Sequence, residues 1–387
     1  MSAVVWLPRG DGSLEERRLA EPARRDRPVT PITSRVAFAA AHVVADPFGD
    51  NVPGAPAAVD WESTLAFRRH LWSYGLGVAE AMDTAQRGMG LDWATTRELI
   101  DRSAAAAREV GGRIAAGAGT DHVPADLATL DEVTAAYEEQ AEVVEASGAQ
   151  VILMASRQLA RLAGGPEDYA KVYDRLLTQV SRPVILHWLG PMFDPALNGY
   201  WGSADIPTAT AALLDLIRRH AHRVDGVKVS LLDAGHEREL RAALPAGVRL
   251  YTGDDFNYPE LIRGDRTHHS DALLGIFAAI APAASGALQA LDRGDLAGYD
   301  AAFAPTVPLA RHIFGTPTWY YKTGIAFLAW LSGHQPGFTM VAGLQSARGV
   351  VHLADLARLA DDARLLPDPD LAAARLRAFL DVAGVTR

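Results

Sequence analysis

Along most of the chain a short apolar run, a polar or glycine-containing turn and an amphipathic helix follow one another in a repeating beat. The runs are Val36 to Val44, Gly77 to Met82, Arg113 to Ala118, Ala149 to Ala155, Pro183 to Trp188, Gly226 to Val229, Val248 to Thr252 and Ala272 to Phe277. They are apolar at successive rather than alternate positions, which predicts strands covered on both faces. Between them the spacing predicts helices over Trp61 to Tyr74, Trp93 to Val110, Leu130 to Ser147, Glu167 to Gln179, Thr208 to His220 and His236 to Ala243. About eight strand–helix units over about 250 residues predict an α/β fold, a (β/α)8 TIM barrel. The rival, an open doubly wound sheet, lacks the Gly-x-Gly-x-x-Gly that its nucleotide-binding forms carry after the first strand.

The ends of the chain fall outside this beat. Val4 to Pro8 and Leu14 to Leu19 flank Arg9-Gly10-Asp11-Gly12-Ser13 and predict an N-terminal β-hairpin, followed by an Arg- and Pro-rich link from Pro22 to Pro31. Beyond the eighth run the chain continues helically from Pro282 through Gly333 and again from Leu353, a C-terminal helical extension. The expected organisation is a hairpin and linker over 1–34, the barrel over 35–282 and C-terminal helices packed on it over 283–387.

Composition narrows the chemistry. The 387 residues include no cysteine, so thiolate zinc sites, iron–sulfur clusters and cysteine nucleophiles are excluded. With 37 basic against 47 acidic side chains, a formal charge of −10, nucleic acid and acidic membranes are not expected partners. No apolar run approaches the roughly 20 residues that span a bilayer, and Met1-Ser2-Ala3-Val4-Val5-Trp6-Leu7-Pro8 lacks the plan of a secretory signal, so a cytoplasmic protein is expected.

In a barrel the chemistry gathers at the C-terminal ends of the strands. That rule selects His42 and Asp46, Asp83 and Thr84, Thr120 to His122, Ser156 and Arg157, His187 and Trp188, Lys228 and Ser230, Asp254 and Asp255, and Thr267 to Asp271. Lys228 stands apart, because Gly226-Val227-Lys228-Val229-Ser230 sets a lysine inside an apolar strand. Burial lowers the pKa of an amine and makes its neutral, nucleophilic form accessible, as Schiff-base chemistry requires. A lysine that snorkels from the strand end or pairs with a carboxylate is the plainer alternative.

Val224-Asp225-Gly226-Val227-Lys228-Val229-Ser230, with Leu250-Tyr251-Thr252-Gly253-Asp254-Asp255 after it, resembles the sixth and seventh strands of the dihydrodipicolinate synthase and N-acetylneuraminate lyase superfamily. In that superfamily a Gly-Ile-Lys carries the Schiff-base lysine. Asp60 to Gly75, Gly111 to Gly119, Arg182 to Leu186 and Thr316 to Gly324 resemble further segments in the same order, so the resemblance covers most of 35–335. It implies a lyase, an aldolase or dehydratase, acting through an imine on Lys228, and a homo-oligomer, dimer or tetramer.

The sequence departs from the family around that lysine. Asp83-Thr84-Ala85-Gln86-Arg87 replaces the Gly-Thr-Thr-Gly-Glu that binds a keto-acid carboxylate, keeping only Thr84. His187 stands where the family has its proton-relaying tyrosine, and Met154-Ala155-Ser156-Arg157 replaces an aromatic pair. The resemblance therefore implies Lys228 as nucleophile, His187 as proton shuttle and Thr84 as a relay or support for the histidine. Substrate contacts are expected from Asp83, Arg87, Arg157, Ser230, Asp254, Asp255 and His42, with either arginine gripping a carboxylate. The substrate expected is a small 2-oxo acid or a keto-sugar-type carbonyl compound, with no cofactor and no metal.

Two alternatives stay open. One is metal-dependent chemistry from His42, His187, His268, His269, Asp83, Asp254, Asp255 and Asp271, all near predicted strand ends. The other is a barrel that binds a carbonyl metabolite without turning it over. His220 and His222 read as helix-end residues, Gly117 and Gly119 as turn glycines, and Trp319, Tyr320 and Tyr321 as packing residues.

Overall fold

The doubly apolar runs become eight parallel strands: β3 (Ala37–Ala40), β4 (Gly77–Glu80), β5 (Ile114–Ala118), β6 (Gln150–Leu153), β7 (Val184–Leu189), β8 (Val224–Ser230), β9 (Arg249–Thr252) and β10 (Asp271–Leu274). They close into a barrel in sequence order, with β10 pairing back onto β3. The structure is a computed structural model describing residues 3–265 and 267–385; Met1, Ser2, Arg266, Thr386 and Arg387 lie outside the described residues. Met1 and Ser2, the start of the stretch weighed as a signal, are therefore among those not described.

Two units group the contacts of the chain. One holds 35–41 and 76–275, and so contains every barrel strand. Its helices are α2 (Trp93–Val110), α3 (Leu130–Ser147), α4 (Arg157–Leu162), α5 (Pro166–Gln179), α6 (Ile206–Arg219), α7 (Ala234–Ala243) and α8 (Tyr258–Arg263). Local sequence sets their starts: Asp92, Asp205 and Asp233 cap α2, α6 and α7 through their carboxylates, and Thr129 with Glu132 forms a reciprocal capping box on α3. Such caps satisfy backbone N–H groups that the first helical turn leaves without partners.

The barrel interior is a packed core of Phe38, Ala40, Ala79, Met82, Ala115, Ile152, Met154, Ile185, Tyr251 and Leu273. Small and large residues interlock closely. A Cβ on Gly77 would lie 2.6 Å from the Phe38 ring, and one on Gly226 would lie 2.7 Å from the Tyr251 ring. The β7–β8 pairing shifts register between Val184 and Ile185, so that Val184 opposes Val224 but Ile185 opposes Gly226. The residue passed over, Asp225, accepts hydrogen bonds from the Tyr251 hydroxyl (2.6 Å) and Arg249 (2.7 Å). Because side-chain direction alternates along a strand, this irregularity decides which face Lys228 presents.

The second unit holds 3–34, 42–75 and 276–385 of the described chain. It contains the antiparallel hairpin β1 (Val4–Pro8) and β2 (Leu14–Arg18), α1 (Trp61–Ser73) and α9 to α14 (Ile276–Asp292, Leu296–Phe303, Val307–Ile313, Tyr321–Leu331, Val350–Asp362 and Pro369–Val382). The hairpin is bound to the last two helices: Arg358 donates to the carbonyls of Leu7 and Pro8, Arg377 to that of Val4, and Arg17 to Asp361 and Asp362. Among the described residues no helix is long and apolar enough to cross a membrane.

The structure corrects the sequence reading in a few places. The eighth strand ends at Leu274 rather than Phe277, since α9 begins at Ile276 and both segments are buried, leaving no polar break to mark the junction. The six-residue helices α4 and α8 went unpredicted, being too short for a helical period to show. Helix α8 also reverses the chain direction after β9, so Thr267, His268, His269 and Ser270 lie on the approach to β10 and Asp271 is its first residue. These residues therefore belong to the N-terminal rim of the barrel and not to its C-terminal mouth.

Candidate active site

The site grows out of the upper halves of β7 and β8. Lys228 pairs in register with His187 on one side and with Tyr251 on the other. Tyr251 and Ile185 belong to the barrel core, and residues level with Tyr251, or two along from Ile185, point the same way. Lys228 and His187 therefore both face the barrel interior.

Lys228 is buried, and among the described residues its amine makes no hydrogen bond and no salt bridge. Burial lowers its pKa, against the opposing pull of the Asp83 and Asp255 carboxylates, which favour the ammonium. Its position is tightly set. A Cβ on Gly253 would fall 2.9 Å from Lys228 Cε and 2.2 Å from Ser230 Oγ, so glycine is needed at the end of β9 for the lysine to lie as it does.

His187 is completely buried and its pKa is pushed well below the usual histidine range, first by burial and then by the Lys228 charge. Its imidazole is therefore neutral near pH 7. Nε2 lies 3.4 Å from Ser230 Oγ, and Nδ1 has no hydrogen-bond partner. A neutral ring with an uncommitted nitrogen can take up a proton and return it.

Asp83 sits in a short 3-10 turn, Asp83–Ala85, reached from β4 through Ala81, whose φ of 52° is unusual for a residue with a side chain. Its carboxylate faces Lys228 electrostatically and takes no hydrogen bond from the described chain. Thr84 is buried in the same turn.

A cavity of about 310 Å³ opens beside these groups, with Asp83, His187, Thr120, Ser156, Arg87 and Arg157 among its walls. Thr84 and Lys228 are not among those walls, and His187 and Asp83 are the groups that connect Lys228 with the space. The volume lies at the lower end of ordinary ligand pockets, ~300–1,000 Å³. Thr120 and Ser156 hydroxyls are bonded to each other at 2.6 Å, and Gln158 accepts from Thr120 at 2.7 Å.

The two arginines have other employment. Arg87 bonds both Asp121 oxygens, Gln140, and the carbonyls of Ala81 and Gly117, five bonds that use all its N–H groups. The arginine expected to grip a substrate carboxylate instead ties the ends of β4 and β5 to α3. Asp121 is held at about 2, where the guanidinium outweighs its burial. Arg157 bonds Asp194 through Nε at 2.5 Å and leaves its terminal nitrogens without hydrogen bonds at the cavity edge. Asp194 and the Arg87–Asp121 tie were not foreseen. Their ion-pair partners lie 34 to 37 positions apart, and no sequence spacing marks them.

The remaining candidates are dispersed. Asp254 accepts from Phe256 N, Asn257 N and Asn257 Nδ2, forming the turn that follows β9. His42 lies in the other unit, where Nε2 meets Gln335 Oε1 at 2.8 Å and its ring packs edge-on against Phe67. Among the described residues no three histidine, aspartate or glutamate side chains gather as metal ligands would, so the convergence that the metal alternative needs is not found.

A model of one protein family matches residues 5–385. The chain belongs to that family, described as "Protein of unknown function (DUF993)". No curated protein matches its sequence. Among solved structures, this DUF993 chain is similar to a putative dihydrodipicolinate synthetase from Pseudomonas aeruginosa, at 18% identity and TM-score 0.64, covering 85% of this chain and 99% of that one. It is also similar to a prophage protein of the dihydrodipicolinic acid synthase family from E. coli K12 in complex with pyruvate, at 13% identity and TM-score 0.66, covering 86% and 99%. A dihydrodipicolinate synthase from Aquifex aeolicus matches at 11% identity and TM-score 0.64, covering 86% and 99%. The DUF993 chain thus has the dihydrodipicolinate synthase fold over most of its length, as the resemblance around Lys228 implied.

Proposed function

We propose that this protein is a lyase of the Schiff-base class, an aldolase or dehydratase whose nucleophile is Lys228, acting on a small 2-oxo acid or keto-sugar-type compound. The observation that carries the reading is the buried Lys228 amine, free of hydrogen bonds and level with His187 on the adjoining strand.

The neutral amine adds to the substrate carbonyl, and the carbinolamine hydroxyl takes up a proton from solvent and leaves as water to give an iminium. Asp83 and Asp255 offset the charge of that cation. The iminium draws electrons from the neighbouring carbon, so a C–C bond can break or form there, or a hydroxyl can leave one carbon further on. Each route needs a proton removed and returned close to Lys228, and neutral His187 is the group placed to do so. Thr84 and Ser230 support the Asp83 turn and the His187 ring rather than entering the cavity themselves. The same reading expects a homo-oligomer, dimer or tetramer, which light scattering counts directly.

Borohydride reduction in the presence of candidate carbonyl compounds tests the proposal. An adduct of substrate mass on the peptide carrying Lys228, absent from Lys228→Ala, supports it. Failure of every compound that binds to mark that peptide, or an adduct surviving Lys228→Ala, overturns it.

A further inference from the structure

The cavity beside Lys228 is poorly suited to an anion. Three of its walls are carboxylates (Asp83, Asp121, Asp194) against two guanidinium groups (Arg87, Arg157). Arg87 is consumed by Asp121 and its other acceptors, and Arg157, half exposed at the cavity edge, has its charge met by Asp194 through Nε, so that only its terminal nitrogens are left to offer an anion. His187, the remaining basic wall, is buried and has a nitrogen without a partner. The unsatisfied acceptor is Asp83, which takes no hydrogen bond from the described chain and faces Lys228 together with Asp255.

An oxo-acid carboxylate entering here would be desolvated among like charges, a cost that rises as the local dielectric falls. An uncharged polyol brings hydroxyl donors, and an ionised carboxylate accepts those in strong, charge-assisted bonds. When its ketone joins the Lys228 amine and one proton is taken up from solvent, water leaves and a cationic iminium remains with no counter-charge of its own. Asp83 and Asp255 supply one.

We infer that the ligand of this cavity is an uncharged polyhydroxylated ketone, a keto sugar or keto polyol, and that Asp83 selects it by accepting a hydrogen bond from a hydroxyl near the carbonyl carbon. The inference narrows the substrate class of the proposed imine chemistry and relies on that reading for where the carbonyl lies. It does not require the imine to form for the ligand to bind.

The experiment is a competition. Dihydroxyacetone and a ketohexose are set against pyruvate and a 2-keto-3-deoxy sugar acid, in the presence of borohydride, with the full-length protein and its Asp83→Asn variant. Hydride converts each iminium to a secondary amine, and peptide mass identifies the compound attached to Lys228. The uncharged ketones should label at least tenfold faster than the oxo acids, and Asp83→Asn should reduce that ratio at least tenfold. Because the ratio is taken within one protein, altered folding or altered Lys228 reactivity cancels from it. Faster labelling by the oxo acids, or an unchanged ratio in Asp83→Asn, overturns the inference while leaving imine chemistry intact. If nothing labels, imine chemistry fails, and calorimetric titration with the same four compounds decides the ligand class. Binding of an uncharged ketone that weakens in Asp83→Asn sustains the inference. Binding of the oxo acids alone, or of none of the four, overturns it.

Discussion

His187 and Lys228 are register partners on neighbouring parallel strands and face the same interior, so the charge of the lysine bears on the protonation of the histidine. The Lys228 charge disfavours an imidazolium at His187. A neutral base beside a neutral amine is the state that imine formation needs, and burial moves both groups toward it, against the pull of Asp83 and Asp255 on the lysine.

The pH dependence of trapping follows from this pairing. Only the unprotonated amine attacks, so the adduct rate should rise with pH through the Lys228 pKa, which burial places below the free-lysine value of 10.5. Asp83 favours the ammonium, and Asp83→Asn should move the midpoint to lower pH. A midpoint that stays fixed or rises in the variant contradicts the arrangement. His187→Gln, which keeps a polar side chain but cannot shuttle protons, should leave trapping in place and slow turnover by about 10²–10⁴-fold.

Gly253→Ala places a methyl group against Ser230 Oγ and Lys228 Cε. Overpacking of this kind costs about 1–3 kcal/mol in stability. The loss of trapping should be larger than that destabilisation explains, because the displaced atoms include the Lys228 side chain on which the adduct is read. Denaturant melts and adduct rates measured on the same preparation separate the two effects.

Arg87→Ala should destabilise the barrel by about 1–3 kcal/mol, the usual cost of leaving buried acceptors short of a donor, since the partner carboxylate of Asp121 reaches solvent. It takes a donor from two strand-end carbonyls, while Gln140 Oε1 keeps the Gly119 N–H and Asp121 keeps Gln140 Nε2. An unfolding midpoint close to that of the parent would mean that the guanidinium is available to substrate after all.

Glu237, on α7, is buried against Thr252 and Ser270, which donate to it, and burial raises its pKa to about 8. Between its ordinary 4.5 and about 8 the unfolded chain loses this proton while the folded protein keeps it. Its contribution is therefore intact below pH 4.5 and declines as pH rises through the window, by up to about 1.4 kcal/mol per pH unit. Glu237→Gln should flatten that decline in urea unfolding measured at stepped pH.

The opposite sign applies in the other unit. His42 and His70 are depressed to about 3 and His334 to about 4, chiefly by burial, with the His70 and His334 rings tilted against each other at 4.2 Å and both packed on Phe67. Each remains neutral in the fold while its unfolded counterpart takes a proton below pH 6.5. Their stabilisation is complete above 6.5 and is lost as pH falls toward 3 to 4. His334→Gln should reduce the steepness of acid unfolding by close to one proton, read from the pH dependence of the urea midpoint.

The βα beat was legible because buried parallel strands write themselves as continuous apolar runs; α2 and α3 fall where their periodicity places them, from Trp93 and from Leu130. The same property hid the junction at Leu274, where strand and helix are buried alike. Lys228 was conspicuous as a charge in an apolar strand. Arg87 was not legible as a structural tie, since its partners Asp121 and Gln140 lie 34 and 53 residues away and only the closed barrel brings them together. His42 reads as a strand-end residue, but its ring is engaged by Gln335, 293 positions further on.

Below Lys228 and His187, Phe38 lies so close to Gly77 that no side chain fits between, and Tyr251, Ile152 and Leu273 fill the rest of the barrel. The site is a cul-de-sac. Water expelled on imine formation, and any untethered fragment, must leave by the door through which the substrate came, while the fragment held on Lys228 waits behind them. For chemistry at this lysine, a plugged floor turns the architecture into a clock: the tethered product departs last.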